Sequence, residues 1–160
     1  MPLIRRLSLP DEAATAALAL ALAPILRSGD ALLLDGPLGA GKTSFARALI
    51  RHLSGPGTEV PSPSFNIVLT YDTEAGPLWH FDLYRIGDAR ELDELGLDDA
   101  LRDGITLVEW PDRMGKLAPA NALTLHIAPT AGADSPRQAE LIGDAGWAAR
   151  LNDFPVSVHD

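Results

Sequence analysis

The stretch LLLDGPLGAGKTSFARALI, residues 32–50, decides how this chain is read. The run ALLLD, residues 31–35, has no polar side before Asp35, as expected of a strand buried on both faces of a parallel sheet. Three glycines then fall within six residues, at Gly36, Gly39 and Gly41, directly before Lys42, one of two lysines in the chain. From Thr43 the pattern becomes helical over residues 43–53 and is stopped by SGPG, residues 54–57.

Residues 36–43 fit G-x-x-x-x-G-K-[ST], the phosphate-binding P-loop pattern, and they lie between a strand and a helix as that chemistry requires. With this chain's own residue frequencies the bare pattern would arise by chance roughly once in 1,000 chains of this length. The glycines let successive N–H groups turn inward around phosphate oxygens, and the helix N-terminus adds partial positive charge. The expected phosphate cradle is Gly36, Pro37, Leu38, Gly39, Ala40, Gly41, Lys42, Thr43 and the following Ser44. Lys42 would reach the β- and γ-phosphates of a nucleoside triphosphate, and the Thr43 hydroxyl would ligate Mg²⁺.

The rest of the chain agrees with a single α/β domain over residues 1–160, a P-loop NTPase-like fold. Its sheet is expected to be central and mostly parallel, with an antiparallel hairpin, and flanked by helices. Residues 3–9 read as an edge strand, and residues 11–27 as a helix after Pro10. NIVLTYD (66–72) and PLWHFDLYR (77–85) read as two strands joined by a turn at 72–77. Residues 89–95 and 97–102 read as short helices broken at Gly96. GITLVEW (104–110) reads as another buried strand, NALTLHI (121–127) and RQAELIG (137–143) as late strands, and 147–153 as a terminal helix. Residues 61–66 read as a loop, and roughly the last ten residues as a loose tail.

Formal net charge is −9, from 13 basic and 22 acidic side chains, and the arginines are scattered. That balance argues against a broad DNA- or RNA-binding face. There is no cysteine, which excludes disulfides and thiolate metal sites. The most apolar stretch, residues 13–26, follows two acids, contains Pro24 and falls short of the ~20 residues that span a bilayer. The expected location is the cytoplasm.

A P-loop enzyme needs a further acid at a nearby strand end to hold Mg²⁺ or position water. Glu109 ends the apolar run ITLVE, at the edge where open α/β sheets bind ligands. In LWHFDLYR, alternation places Trp79, Phe81 and Leu83 on one face and His80, Asp82 and Tyr84 on the other, with Asp82 the sole carboxylate there. His80 reads more simply as a core or edge histidine. Trp110, next to Glu109, reads as a core or lid aromatic. The acids of ELDELGLDDAL, residues 91–101, are a solvated face or a surface for a basic partner.

GPLGAGKTSFAR, PSPSFNIV, HFDLYRI, ELDELGLDD and LVEWPDRM occur in an order and spacing that resembles the bacterial TsaE (YjeE) family, from about residue 9 to 114. The resemblance implies a small ATPase that binds ATP/ADP and Mg²⁺ and works with TsaD and TsaB. Together they form N6-threonylcarbamoyladenosine at position 37 of tRNAs reading codons that begin with A, with the tRNA contacted through the partners. By the same resemblance Lys42 contacts the phosphates, Thr43 and Glu109 ligate Mg²⁺, and Asp82 orients water or sits on the metal side. Residues 62–65 act as a switch-like loop, with Ser64 where the family usually has threonine. Trp110 sits beside the site, and Glu12 and Arg137 lie toward the nucleotide's outer side.

Two other readings stay open. A small-molecule kinase would need lid arginines, for which Arg113 and Arg137 are the candidates. A nucleotide-gated adaptor would bind ATP and rarely hydrolyse it. A GTPase is disfavoured because Asn-Lys-x-Asp is absent.

Overall fold

A computed structural model describes residues 3–37, 39–61, 67–129, 136–152 and 154. Seven strands form one sheet: β1 (Leu3–Leu9), β2 (Ala31–Asp35), β3 (Val68–Thr73), β4 (Gly76–Asp82), β5 (Ile105–Glu109), β6 (Leu123–Pro129) and β7 (Arg137–Ile142). Their spatial order is β1-β7-β6-β2-β5-β4-β3. The central four, β6, β2, β5 and β4, are parallel. Antiparallel strands extend both sides: β3 beside β4, and β7 then β1 beside β6. The expected parallel sheet is thus its centre, and the expected hairpin is β3–β4.

β2 and β5 are the most apolar strands because each is covered on both faces. Leu32 and Leu34 of β2 and Ile105 and Leu107 of β5 pack toward α1 (Glu12–Leu22) and α2 (Lys42–Ser54). Ala31, Leu33 and Val108 face the other way, toward α3 (Glu91–Glu94) and α4 (Leu97–Asp103). Each fully buried leucine contributes about 2 kcal/mol of apolar burial. The strand ends of this doubly covered centre carry the chain into the site.

Several boundaries differ from the sequence reading. The first helix ends at Leu22 and passes into a 3₁₀ turn, Ala23–Ile25, because proline at 24 cannot continue the α-helical hydrogen bonding. Asp11 caps it, accepting from the Ala14 N–H at 2.9 Å. The β3–β4 turn is tighter than expected, because pairing continues to Thr73 and Gly76. The last helix, α5 (Ala145–Arg150), starts earlier than expected because Asp144 accepts from the Trp147 N–H at 3.0 Å. The expected 62–65 loop, Leu38 and most of the tail lie outside the described residues. Among the described residues, no helix is long and apolar enough to cross a membrane.

Candidate functional site

Gly36 follows β2 with φ +149°, and a Cβ there would collide with the Ile127 carbonyl oxygen of β6. Only glycine permits this close approach, so the chain can leave the sheet immediately after Asp35. Gly39 and Gly41 also have positive φ, and the Ala40 N–H donates to the Pro37 carbonyl at 3.1 Å. Gly41 is the N-cap of α2 and has no side chain with which to cap it. The N–H groups of the first turn of this 13-residue helix are left to face a ligand, in the direction that favours an anion. Arg137, from β7, donates to the Gly39 carbonyl at 3.0 Å and ties the loop to the sheet.

Lys42 is only 5% exposed. Its Nζ donates to the Gly36 carbonyl at 2.6 Å and lies 3.3 Å from the ring centroid of Trp110. Burial pushes its pKa below the usual lysine value, and Glu109, Asp35, Asp82 and Asp112 act in the opposite direction. Trp110 has φ +61°, an uncommon conformation for a bulky residue. Its ring is held on another side by Tyr84, with centroids 4.9 Å apart.

The two carboxylates singled out by strand ends are neighbours. Asp82 and Glu109 are directly paired in register across the parallel β4–β5 ladder. Glu109 is 2% exposed and uses both oxygens. Its Oε1 accepts from the Thr43 hydroxyl at 3.0 Å, and its Oε2 contacts His80 Nε2 at 2.6 Å. Asp82 is also buried, and its Oδ1 accepts from the Tyr84 N–H at 3.1 Å. Its own N–H donates to the carbonyl of Ile67, whose φ is +66°. Ile67 and Trp110 are the non-glycine residues with positive φ among those described, and each adjoins one of these acids. Such strain persists where surrounding structure imposes it, commonly at functional sites.

These groups line a cleft of about 320 Å³ that opens at the ends of the parallel strands. Of the expected site residues, Gly39, Gly41, Lys42, Thr43, Ser44, Asp82, Glu109 and Trp110 line it, as do Glu12 from α1 and Arg137 from β7. Gly36, Pro37 and Ala40 shape the loop through backbone contacts and do not line the cleft. Ser64 and Leu38 lie outside the described residues. Tyr84, which is not among the expected site residues, also lines the cleft and backs Trp110. It was visible as the polar-face residue two positions after Asp82. His80 was read as a core or edge residue, and it is buried as expected; its contact with Glu109 joins residues 29 apart in sequence and needed the strand register.

The donor set suits Mg²⁺: one hydroxyl and two adjacent carboxylates, leaving other positions to phosphate oxygens and water. Among the described residues, no group of three or more His, Cys, Asp or Glu converges as a closed metal site. A strand–glycine loop–helix that leads into a cleft with a buried lysine and paired acids places the chain among mixed α/β proteins whose sheet carries a polar cleft at its strand ends.

Comparison with known proteins narrows this. Residues 9–138 match the family model described as "Threonylcarbamoyl adenosine biosynthesis protein TsaE", and the chain belongs to that family. A protein of Rickettsia felis named "tRNA threonylcarbamoyladenosine biosynthesis protein TsaE" is 43% identical over 106 residues, covering 66% of this chain and 62% of that protein. The protein of the same name from Bacillus subtilis is 39% identical over 119 residues, covering 74% of this chain and 72% of its own. The crystal structure of Bacillus subtilis YdiB superposes with a TM-score of 0.73 at 29% identity, covering 92% of this chain and 90% of that one.

Proposed function

We propose that this chain is a P-loop ATPase that binds and slowly hydrolyses Mg-ATP in support of a TsaD–TsaB complex. That complex would form N6-threonylcarbamoyladenosine at position 37 of tRNAs decoding codons that begin with A. The observation that carries the reading is the convergence of Lys42, Thr43, Glu109 and Asp82 on one cleft beneath an uncapped helix N-terminus. The names of the relatives supply the pathway.

In this proposal each residue takes a role that its position allows. Lys42 leaves the Gly36 carbonyl and the Trp110 face to meet the β- and γ-phosphates. The loop and first-turn N–H groups hold the remaining phosphate oxygens. Thr43 directs its hydroxyl proton at Glu109, which would leave its lone pairs available to Mg²⁺. Mg²⁺, when bound, offsets the charge that develops on the phosphate oxygens. Asp82, beside Glu109, orients the attacking water. The strong negative charge of the chain fits a subunit that leaves tRNA contact to its partners.

The kinase reading lacks a lid clamp among the described residues. Arg137 is occupied by the Gly39 carbonyl, and Arg113 does not line the cleft. The adaptor reading is separated by Glu109→Ala: pathway function lost with ATP binding kept means hydrolysis is required. The direct test is phosphate release from ATP by the purified chain, alone and with the TsaD–TsaB complex added, with Lys42→Ala as the blank. Strong stimulation by the complex supports the proposal. ATP binding without stimulation moves the weight to the adaptor.

A further inference from the structure

His80 is fully buried on β4, and its surroundings give an imidazole almost nothing polar. Its register partners are Leu69 on one side and Leu107 on the other. On the same face of the strand, Leu78 belongs to the apolar core beneath α1 and α2. Nδ1 is buried and has no partner among the described residues. An apolar residue would suit this place better, because an unpaired buried polar atom costs about 1–3 kcal/mol. Among the described residues, the polar contact that explains a histidine here is Nε2 to Glu109 Oε2, at 2.6 Å.

That contact ends a chain that runs His80 Nε2, Glu109 Oε2, Glu109 Oε1, Thr43 Oγ1, with outer links of 2.6 and 3.0 Å. A carboxylate oxygen accepts, so the shared proton belongs to Nε2. A carboxylate gripped at one oxygen cannot swing away, and its other oxygen, which accepts from the Thr43 hydroxyl, keeps a second lone pair for a cation. We infer that His80 is a positioning residue of the site: it fixes the Glu109 carboxylate so that Thr43 and Glu109 present one preset arrangement to a nucleotide-bound divalent cation. His80 itself touches neither nucleotide nor cation. Groups of this kind, which orient metal ligands from behind, typically carry a 10–100-fold effect on metal affinity. The inference rests on the Mg-nucleotide reading above.

The test is equilibrium binding of a fluorescent ADP analogue to the full chain, with Mg²⁺ and with EDTA. It is made for wild type, His80→Leu, His80→Gln and His80→Asn, with thermal melts of each. The glutamine amide nitrogen reaches about as far from Cα as imidazole Nε2 does, whereas the asparagine amide stops short of it. His80→Leu should lower the gain in affinity that Mg²⁺ confers by about tenfold and leave the EDTA affinity unchanged. His80→Gln should keep most of the gain, and His80→Asn should lose it. If the leucine variant does not fold, the glutamine–asparagine contrast decides alone. A purely structural role would lower both affinities together or neither, and either result overturns the inference, as does an equal loss in glutamine and asparagine. If wild type shows no Mg²⁺-dependent binding at all, the ATPase reading itself fails and takes this inference with it.

Discussion

Two histidine–carboxylate contacts lie among the parallel strands, and they differ in almost everything except chemistry. His80–Glu109 spans β4 and β5, is 2.6 Å long, and its side chains are 0% and 2% exposed. His126–Asp35 spans β6 and β2, is 2.9 Å long, and its side chains are 34% and 44% exposed. Glu109 follows the core-facing side of β5 and looks toward α2. Asp35 follows Leu34, which packs under α1 and α2, so alternation turns it to the opposite face. Both acids act on Lys42, Glu109 more strongly than Asp35. Water screens the exposed pair and lets its members move. Burial makes the other pair rigid and gives it a direction, and the hydroxyl it directs is the one that follows Lys42.

Lys42 feels the charge of both acids and is itself buried in the cleft, so its replacement has the largest effect. Lys42→Met should weaken ATP binding by more than about hundredfold, measured by calorimetric titration. Burial makes the folded environment unfavourable to the lysine charge, so the unfolded chain binds more protons and ligand-free stability rises with pH toward 10.5. Next comes the direct contrast of the acids. Glu109→Gln should lower phosphate release by roughly hundredfold. Asp35→Asn should change it less than about fivefold, the range of an exposed ion pair.

Smaller effects sharpen the picture. Tyr84→Ala removes the ring that backs Trp110, and should raise the KM for ATP about threefold with a shift in tryptophan emission on nucleotide binding. Reversing charge at Asp93, Glu94 and Asp98, all exposed on α3 and α4, should slow association with a TsaD–TsaB complex about tenfold and leave nucleotide binding alone. Kinetics of complex formation at low and high salt would check it. His126→Leu should do least, within about 0.5 kcal/mol in stability on thermal melting.

The site's frame was legible because its signals are local. β2, the loop and α2 follow from an apolar run, three glycines and a helical period, all within residues 31–54. Asp82 and Glu109 were legible as acids at the ends of apolar strands, where open sheets bind ligands. The His80–Glu109 grip was not, because it depends on which strands are neighbours and in what register. The same reason hid the pairing of Asp35 with His126. Trp110 was visible as a neighbour of Glu109, but its left-handed backbone follows from the 3₁₀ turn (Pro111–Leu117) that begins immediately after it. The expected helix over 11–27 exceeds the observed one because the apolar pattern continues past Pro24, although α-helical hydrogen bonding cannot.

The most direct measurement is single-turnover phosphate release from Mg-ATP in the presence of the TsaD–TsaB complex, for wild type, Glu109→Gln and Asp35→Asn. ATP binding is measured in parallel. The account predicts that Glu109→Gln binds ATP and fails to hydrolyse it, while Asp35→Asn stays close to wild type. Hydrolysis by Glu109→Gln at the wild-type rate, or an equal loss in both variants, would contradict it.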